Sequence, residues 1–282
     1  MIERIKLNNN YCMPGMMLGS YQVNSMEALY AMLRTALSCG VCGFDTSPSY
    51  RNQWEFGNAL QTAMKDTGVP RDRIFVTGKI DGWQMCRTNG EVEQYVYNSM
   101  KELQVEYFDL LLVHWPFERY LANTWKCFER LYEKGVLKSI GLCNVNQRIY
   151  ENFMSYNIII KPQVIQNEIS PLYCSVDDVL YFQKEQLCVE AYSPLARMLP
   201  AVKESAVIKK LSEKYRKSIA QIILRWHVQR GIIPIFTSSK PERIINNIDI
   251  FDFVLSEEDM EQIYSIDQNY KIFPESYGCP GF

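Results

Sequence analysis

The chain has 282 residues, 47% apolar and 22% charged, with a formal net charge of −2 from 30 basic and 32 acidic side chains. That balance, with no basic block, argues against a surface built for nucleic acid or an anionic membrane, and no apolar run approaches the roughly 18 residues of a membrane span. Nine scattered cysteines, an odd number, and a Met1–Lys6 start lacking an apolar core point to free thiols in a reducing cytoplasm.

Ile5 to Pro14 alternates around Asn8-Asn9-Asn10, which predicts a hairpin whose turn tolerates left-handed backbone. Met16–Tyr21 predicts a buried strand. Ser25–Cys39 has helical spacing, with Ala28, Met32, Ala36 and Cys39 on one side and Gly40 as its stop. Val41–Phe44 is a short apolar run that carries Asp45 at its end. Thr46-Ser47-Pro48-Ser49 then turns the chain, Tyr50 follows, and Gln53–Lys65 reads as a helix. Ile74–Lys79 is a strand ending in a lysine, and Glu91–Leu103 is helical again. Tyr107–Val113 is almost all apolar, as expected of a strand covered on both faces, and it ends in His114-Trp115-Pro116. Helix Leu121–Lys134, strand Ser139–Cys143 with Asn144 at its end, and a helix from Asn146 come next. Strands Val164–Glu168 and Cys188–Ala191 follow, then helices Ser205–Tyr215 and Ser218–Arg230. Strand Ile232–Phe236, a helix from Glu242 and a last helix Ser256–Ile266 complete the order.

Eight strands alternating with helices argue for a parallel sheet, and eight such units in this length argue for a closed (β/α)8 TIM barrel. The expectation is a single domain over residues 1–282. An N-terminal hairpin would cap the barrel bottom, and the last helix and tail would be additions.

A barrel gathers its strand ends on one face, so Asp45, Tyr50, Lys79 and His114 converge there. A phenol exchanges protons poorly at neutral pH. An ammonium beside it stabilises the phenolate and lowers its pKa, and a carboxylate keeps the ammonium charged and in place. An imidazole adds a group that orients an oxygen. Together these suit acid–base work on a carbonyl or an alcohol. The chain has only two histidines, and His227 falls inside a helical pattern, so no metal site is expected.

At these residues the sequence resembles the aldo-keto reductase family, in its prokaryotic-type single-domain form. The contexts Gly43-Phe44-Asp45-Thr46…Tyr50, Thr77-Gly78-Lys79 and Leu111-Leu112-Val113-His114-Trp115-Pro116 match that family's catalytic Asp, Tyr, Lys and His. Gly141-Leu142-Cys143-Asn144-Val145, Gln166-Asn167-Glu168 and Ala191-Tyr192-Ser193-Pro194-Leu195 are similar to its cofactor-site motifs. The resemblance implies NAD(P)H-dependent reduction of an aldehyde or ketone, reversible, with Tyr50 giving the proton. It implies a nicotinamide stacked on Tyr192 and a carboxamide held at Cys143, Asn144 and Gln166. Ser193, Leu195, Thr237, Ser238, Lys240, Arg243 and Asn247 would contact the rest of the cofactor. No GxGxxG motif occurs, which counts against a Rossmann site.

Three positions depart from the family pattern. Cys143 stands for a serine, Thr237 for the lysine that faces a 2′-phosphate, and Tyr21 for a tryptophan after the first barrel strand. Ser238, Lys240 and Arg243 remain, so NADP(H) is expected to be slightly favoured over NAD(H). Tyr21, Trp83 and Trp115 are expected to wall the substrate pocket, with Tyr277 and Phe282 of the tail closing it. The expected partner is a small carbonyl or alcohol substrate, not nucleic acid or membrane, and the protein is expected to be a monomer or weak oligomer. Two alternatives compete: a cofactor-binding regulatory or scaffold barrel with little turnover, and a barrel using Lys79 as a Schiff-base lysine.

Overall fold

A computed structural model describes residues 2–85 and 88–274. Tyr277 and Phe282 lie outside the described residues. The chain opens with an antiparallel hairpin, β1 (Arg4–Lys6) and β2 (Cys12–Pro14), whose turn is closed by Asn10 at φ 67°. Eight parallel strands then close into a barrel: β3 (Met17–Gly19), β4 (Gly43–Asp45), β5 (Phe75–Ile80), β6 (Leu110–Val113), β7 (Ile140–Cys143), β8 (Val164–Glu168), β9 (Cys188–Tyr192) and β10 (Ile232–Phe236). Each pairs with its sequence neighbours, and β10 closes the ring on β3 through Ile235 opposite Met17 and Phe236 opposite Leu18.

Side chains alternate along each strand, so one set fills the barrel and the other packs outward against helices. Met17, Phe75, Leu110, Leu112, Val164 and Ile233 form the inner core, and the hairpin seals its lower end with Leu7 and Met13. The outer set, including Leu18, Phe44, Val76, Leu111, Leu142 and Ile165, packs under the surrounding helices. Helix Met26–Ser38 starts where the Ser25 hydroxyl accepts a hydrogen bond from the Ala28 N–H. Helix Gln53–Thr67 stops at Gly68, whose φ of 69° suits a residue without Cβ. On β5, Gly78 leaves room for the Phe108 ring, which a Cβ there would meet at 2.5 Å. This close packing fixes the strand one residue before Lys79.

The differences from the sequence reading lie mainly at edges. Val41 and Cys42 precede β4 rather than joining it, and helix Glu118–Glu133 begins three residues earlier than its apolar pattern. Helix Val176–Lys184 went unassigned, since it buries only Val179 and Phe182 and opens on Asp177 and Asp178. No helix of the described residues is long and apolar enough to cross a membrane.

Candidate active site at the barrel mouth

On the inward face of β5, a two-residue period places Phe75, Thr77 and Lys79 in line, so Lys79 is the last inward side chain before the mouth. It is 1% exposed, and its ammonium donates to both Asp45 oxygens at 2.5 Å and to the Tyr50 hydroxyl at 3.3 Å. Asp45 ends β4 two strand residues after Gly43. Tyr50 sits on the 3-10 turn Pro48–Tyr50 that Pro48 initiates, and its hydroxyl is 3.5 Å from Asp45 Oδ1. A buried ammonium loses hydration, which pulls its pKa down, but the Asp45 carboxylate more than offsets this and the net direction is up. Lys79 is therefore held charged, which disfavours a nucleophilic amine.

Tyr50 behaves differently from the expectation of a lowered pKa. Lys79 does pull it down, but burial pushes harder the other way and Asp45 adds to it, so the phenol ends above its ordinary value. The sequence shows the charged neighbour and not the loss of water around the hydroxyl. At neutral pH Tyr50 is a phenol with a proton to give.

His114 follows β6, and its Nδ1 lies 2.5 Å from Oδ1 of Asp81, a residue that the sequence reading missed. Asp81 is buried just past the end of β5. Its other oxygen accepts from the Ser47 hydroxyl at 3.2 Å and from the Ser49 N–H at 3.0 Å. Burial alone would raise the Asp81 pKa, but the His114 contact and the two serines hold it below the usual carboxylate value.

A second polar chain runs across the inner wall. Gln166 Nε2 donates to Asp45 Oδ2 and to Glu190 Oε2, each at 3.0 Å, and its Oε1 accepts from the Cys143 thiol at 3.8 Å. Glu190 is 0% exposed, and its Oε1 has no hydrogen-bond partner among the described residues. Burial, with the Asp45 charge nearby, pushes its pKa up to about 8. Asn144 adopts left-handed backbone at φ 58°, where asparagine is well tolerated. It donates to the His114 carbonyl at 2.8 Å and accepts from the Tyr192 hydroxyl at 2.7 Å.

These groups open on one cleft of about 1110 Å³ that runs across the barrel mouth. Asp45, Tyr50, His114, Asn144, Gln166, Tyr192, Ser193, Leu195, Thr237, Ser238, Lys240, Arg243 and Asn247 all line it, as do Tyr21 and Trp115. Tyr21 lies on Tyr50 with ring centroids 5.1 Å apart, and Trp115 stacks near His114 at 6.4 Å. Three expected residues are placed elsewhere. Lys79 lies beneath the surface of the cleft and reaches it through Tyr50. Cys143 is fully buried behind Gln166, so its thiol orients that amide rather than facing the cleft. Trp83 is 56% exposed and packs edge-on against Tyr95 at 5.5 Å, because the short helix Gly82–Met85 turns it away from the mouth. Lys203 and Phe273 line the cleft without having been foreseen. Phe273 is held there by backbone, since its N–H and that of Ile272 donate to the two Glu168 oxygens at 2.8 and 2.7 Å. No cluster of potential metal ligands occurs among the described residues.

The model of the Aldo/keto reductase family matches residues 12–268. The chain is 33% identical over 272 residues to glyoxal reductase of Bacillus subtilis (strain 168), covering 96% of this chain and 95% of the relative. It is 35% identical over 296 residues to aldo-keto reductase family 1 member A1 of Gallus gallus, with 95% and 89% covered. Among solved structures, the Bombyx mori aldo-keto reductase in complex with NADP superimposes with a TM-score of 0.91 at 27% identity, over 99% of each chain. An aldo-keto reductase from a Medee basin deep-sea metagenome library gives 0.88 at 35% identity, over 96% of this chain and 97% of that one.

Proposed function

The chain belongs to the aldo/keto reductase family and is an NAD(P)-dependent oxidoreductase; on that premise we propose that it reduces an aldehyde or ketone reversibly, with Tyr50 passing the proton and NADP(H) slightly favoured. The observation that carries this reading is the Tyr50 hydroxyl. It receives a hydrogen bond from Lys79 and opens on the cleft that also holds Asn144, Gln166, Tyr192 and four cations, Arg197, Lys203, Lys240 and Arg243.

The lining fits an extended dinucleotide. Asn144 keeps one amide N–H and one lone pair after its contacts with His114 and Tyr192, a donor and an acceptor for a carboxamide. Gln166 has both amide hydrogens committed, so it offers an oxygen only. Tyr192 presents a ring beside them. Lys203, Lys240 and Arg243 supply positive charge for phosphates.

A bound reduced nicotinamide supplies the hydride for the carbonyl carbon. The protein's own work is on the oxygen. Tyr50 transfers its proton there, and the phenolate left behind is stabilised by the ammonium of Lys79. Asp45 keeps that ammonium charged and aimed. In the oxidative direction the phenolate takes the proton back. Trp115 and Tyr21 wall the space beside Tyr50, which suits a small carbonyl compound.

Titration of the protein with each cofactor, read by quenching of tryptophan fluorescence, tests this directly. NADPH is expected to bind more tightly than NADH. Equal affinities would overturn the preference, and binding of neither would overturn the site. Thr237 lies against β3, where a Cβ on Gly19 would meet its hydroxyl at 3.0 Å. In Thr237→Lys an ammonium replaces that hydroxyl at the cleft. NADPH affinity is expected to rise about tenfold, the worth of one charge-assisted hydrogen bond, with NADH unchanged.

A further inference from the structure

With Asp81 the oxygen-orienting histidine has a fixed proton inventory. Oδ2 of Asp81 accepts from the Ser49 N–H, and the Ser47 hydroxyl lies 3.2 Å from both Oδ2 and His114 Nδ1 and 2.9 Å from the Ser49 hydroxyl, with one proton to give among them. An ionised carboxylate oxygen and an imidazole nitrogen 2.5 Å apart need a proton between them, and since Asp81 is held ionised that proton sits on Nδ1. A neutral imidazole carries one N–H, and here Nδ1 holds it. Nε2, the nitrogen left for a substrate, would then be an acceptor facing the lone pairs of a carbonyl oxygen. It becomes a donor only when the ring carries both protons.

We propose that Asp81 is a positioning residue of the reaction: it fixes a proton on Nδ1 of His114, so that Nε2 donates to the substrate oxygen only as an imidazolium. The proposal rests on the reductase reading above for its kinetic part. Reduction then works with two donors on the carbonyl oxygen, Tyr50 and the His114 imidazolium, while Tyr50 alone transfers a proton. In oxidation the single alcohol O–H goes to the Tyr50 phenolate, and Nε2 takes no proton from it.

Besides Asp81, the Ser47 hydroxyl of the turn after β4 lies 3.2 Å from Nδ1. Tyr50 faces the ring edge-on at 6.1 Å from the turn after β4, and beneath Tyr50 lie Lys79 of β5 and Asp45 of β4, a paired cation and anion. Trp115 stacks beside it, Asn144 after β7 holds its backbone carbonyl, and the Cys143 thiol of β7 is kept neutral by burial. Asp81 is therefore the anion in direct contact with the ring.

The test uses protein labelled with 15N at histidine, in which only His114 and His227 contribute. His227 is fully buried between the Ile223 and Ile169 carbonyls, and a His227→Gln variant separates the two signals. The wild-type His114 Nδ1 is expected to stay protonated across the pH range while Nε2 titrates. A neutral ring protonated on Nε2 would overturn the proposal, whether or not the protein turns over any substrate. In single turnover with NADPH and an aldehyde, the reduction rate is expected to fall about tenfold or more as Nε2 loses its proton. In Asp81→Asn, the alkaline limb of the rate and the Nε2 signal are expected to move together to lower pH, as removal of a neighbouring carboxylate requires. NADPH affinity should not change, and Asp81→Glu should restore the limb. An unchanged profile in Asp81→Asn overturns the proposal, whereas absence of any wild-type turnover overturns the reductase reading alone.

Discussion

Tyr50→Phe is expected to lose about a thousandfold or more of the hydride-transfer rate, within the range that a positioned acid contributes, while NADPH binds as before. The substitution removes one oxygen and nothing else. The ring keeps its packing against Tyr21 and His114, at 5.1 and 6.1 Å, so the barrel mouth stays intact. Lys79 retains both contacts to Asp45 and loses only the 3.3 Å bond to the phenol. Single-turnover rates and fluorescence titration, run on the same preparation, separate chemistry from binding. A variant that turns over within about tenfold of wild type would remove Tyr50 from the mechanism, since loss of a general acid costs more than that.

Lys79→Met should harm both catalysis and stability. The ammonium is the closest partner of a buried carboxylate, and its loss leaves Asp45 with the weaker Gln166 contact at 3.0 Å and the long Tyr50 contact at 3.5 Å. Breaking a buried ion pair from one side costs about 3–5 kcal/mol, mostly through the charge left without a partner. That should show as a lower midpoint in urea unfolding of the cofactor-free protein. Catalysis is expected to fall with it, since the phenolate formed on Tyr50 loses its counter-charge. Adding Asp45→Asn should restore much of the stability and none of the rate. A double variant no more stable than Lys79→Met would mean that packing, not the orphaned charge, carries the loss.

The barrel and its four converging groups were legible because each depends on local pattern. Asp45, Lys79 and His114 each end an apolar strand, and parallel strands in a closed barrel share a C-terminal face. Asp81 was hidden for the opposite reason. It stands before Gly82, where Asp-Gly reads as an ordinary turn, and its partner His114 is 33 residues away. Trp83 looked like a mouth residue by position, but four residues of helix turned it outward onto Tyr95. Glu190 sits in Cys188-Val189-Glu190-Ala191, where apolar residues fall on both faces of the strand, so alternation does not announce which face holds the acid. The direction of the Tyr50 shift was beyond sequence as well, because burial and not the neighbouring charge decides it.

Glu190 makes folding of this chain an acid–base reaction. In the barrel its carboxyl holds a proton up to about pH 8, whereas in the unfolded chain a glutamate lets go near its ordinary value of about 4.3. Between those limits the folded chain carries a proton that the unfolded chain lacks. The stability this group contributes is therefore full below about pH 4.3 and declines as the pH rises towards 8, by a few kcal/mol in all. Glu190→Gln keeps the shape and removes the proton, so the difference in stability between variant and wild type should widen across that window. Refolding from urea at pH 7 in weak buffer with an indicator dye should consume about one more proton per wild-type chain than per Glu190→Gln chain. Equal uptake would mean that Glu190 is already ionised inside the barrel.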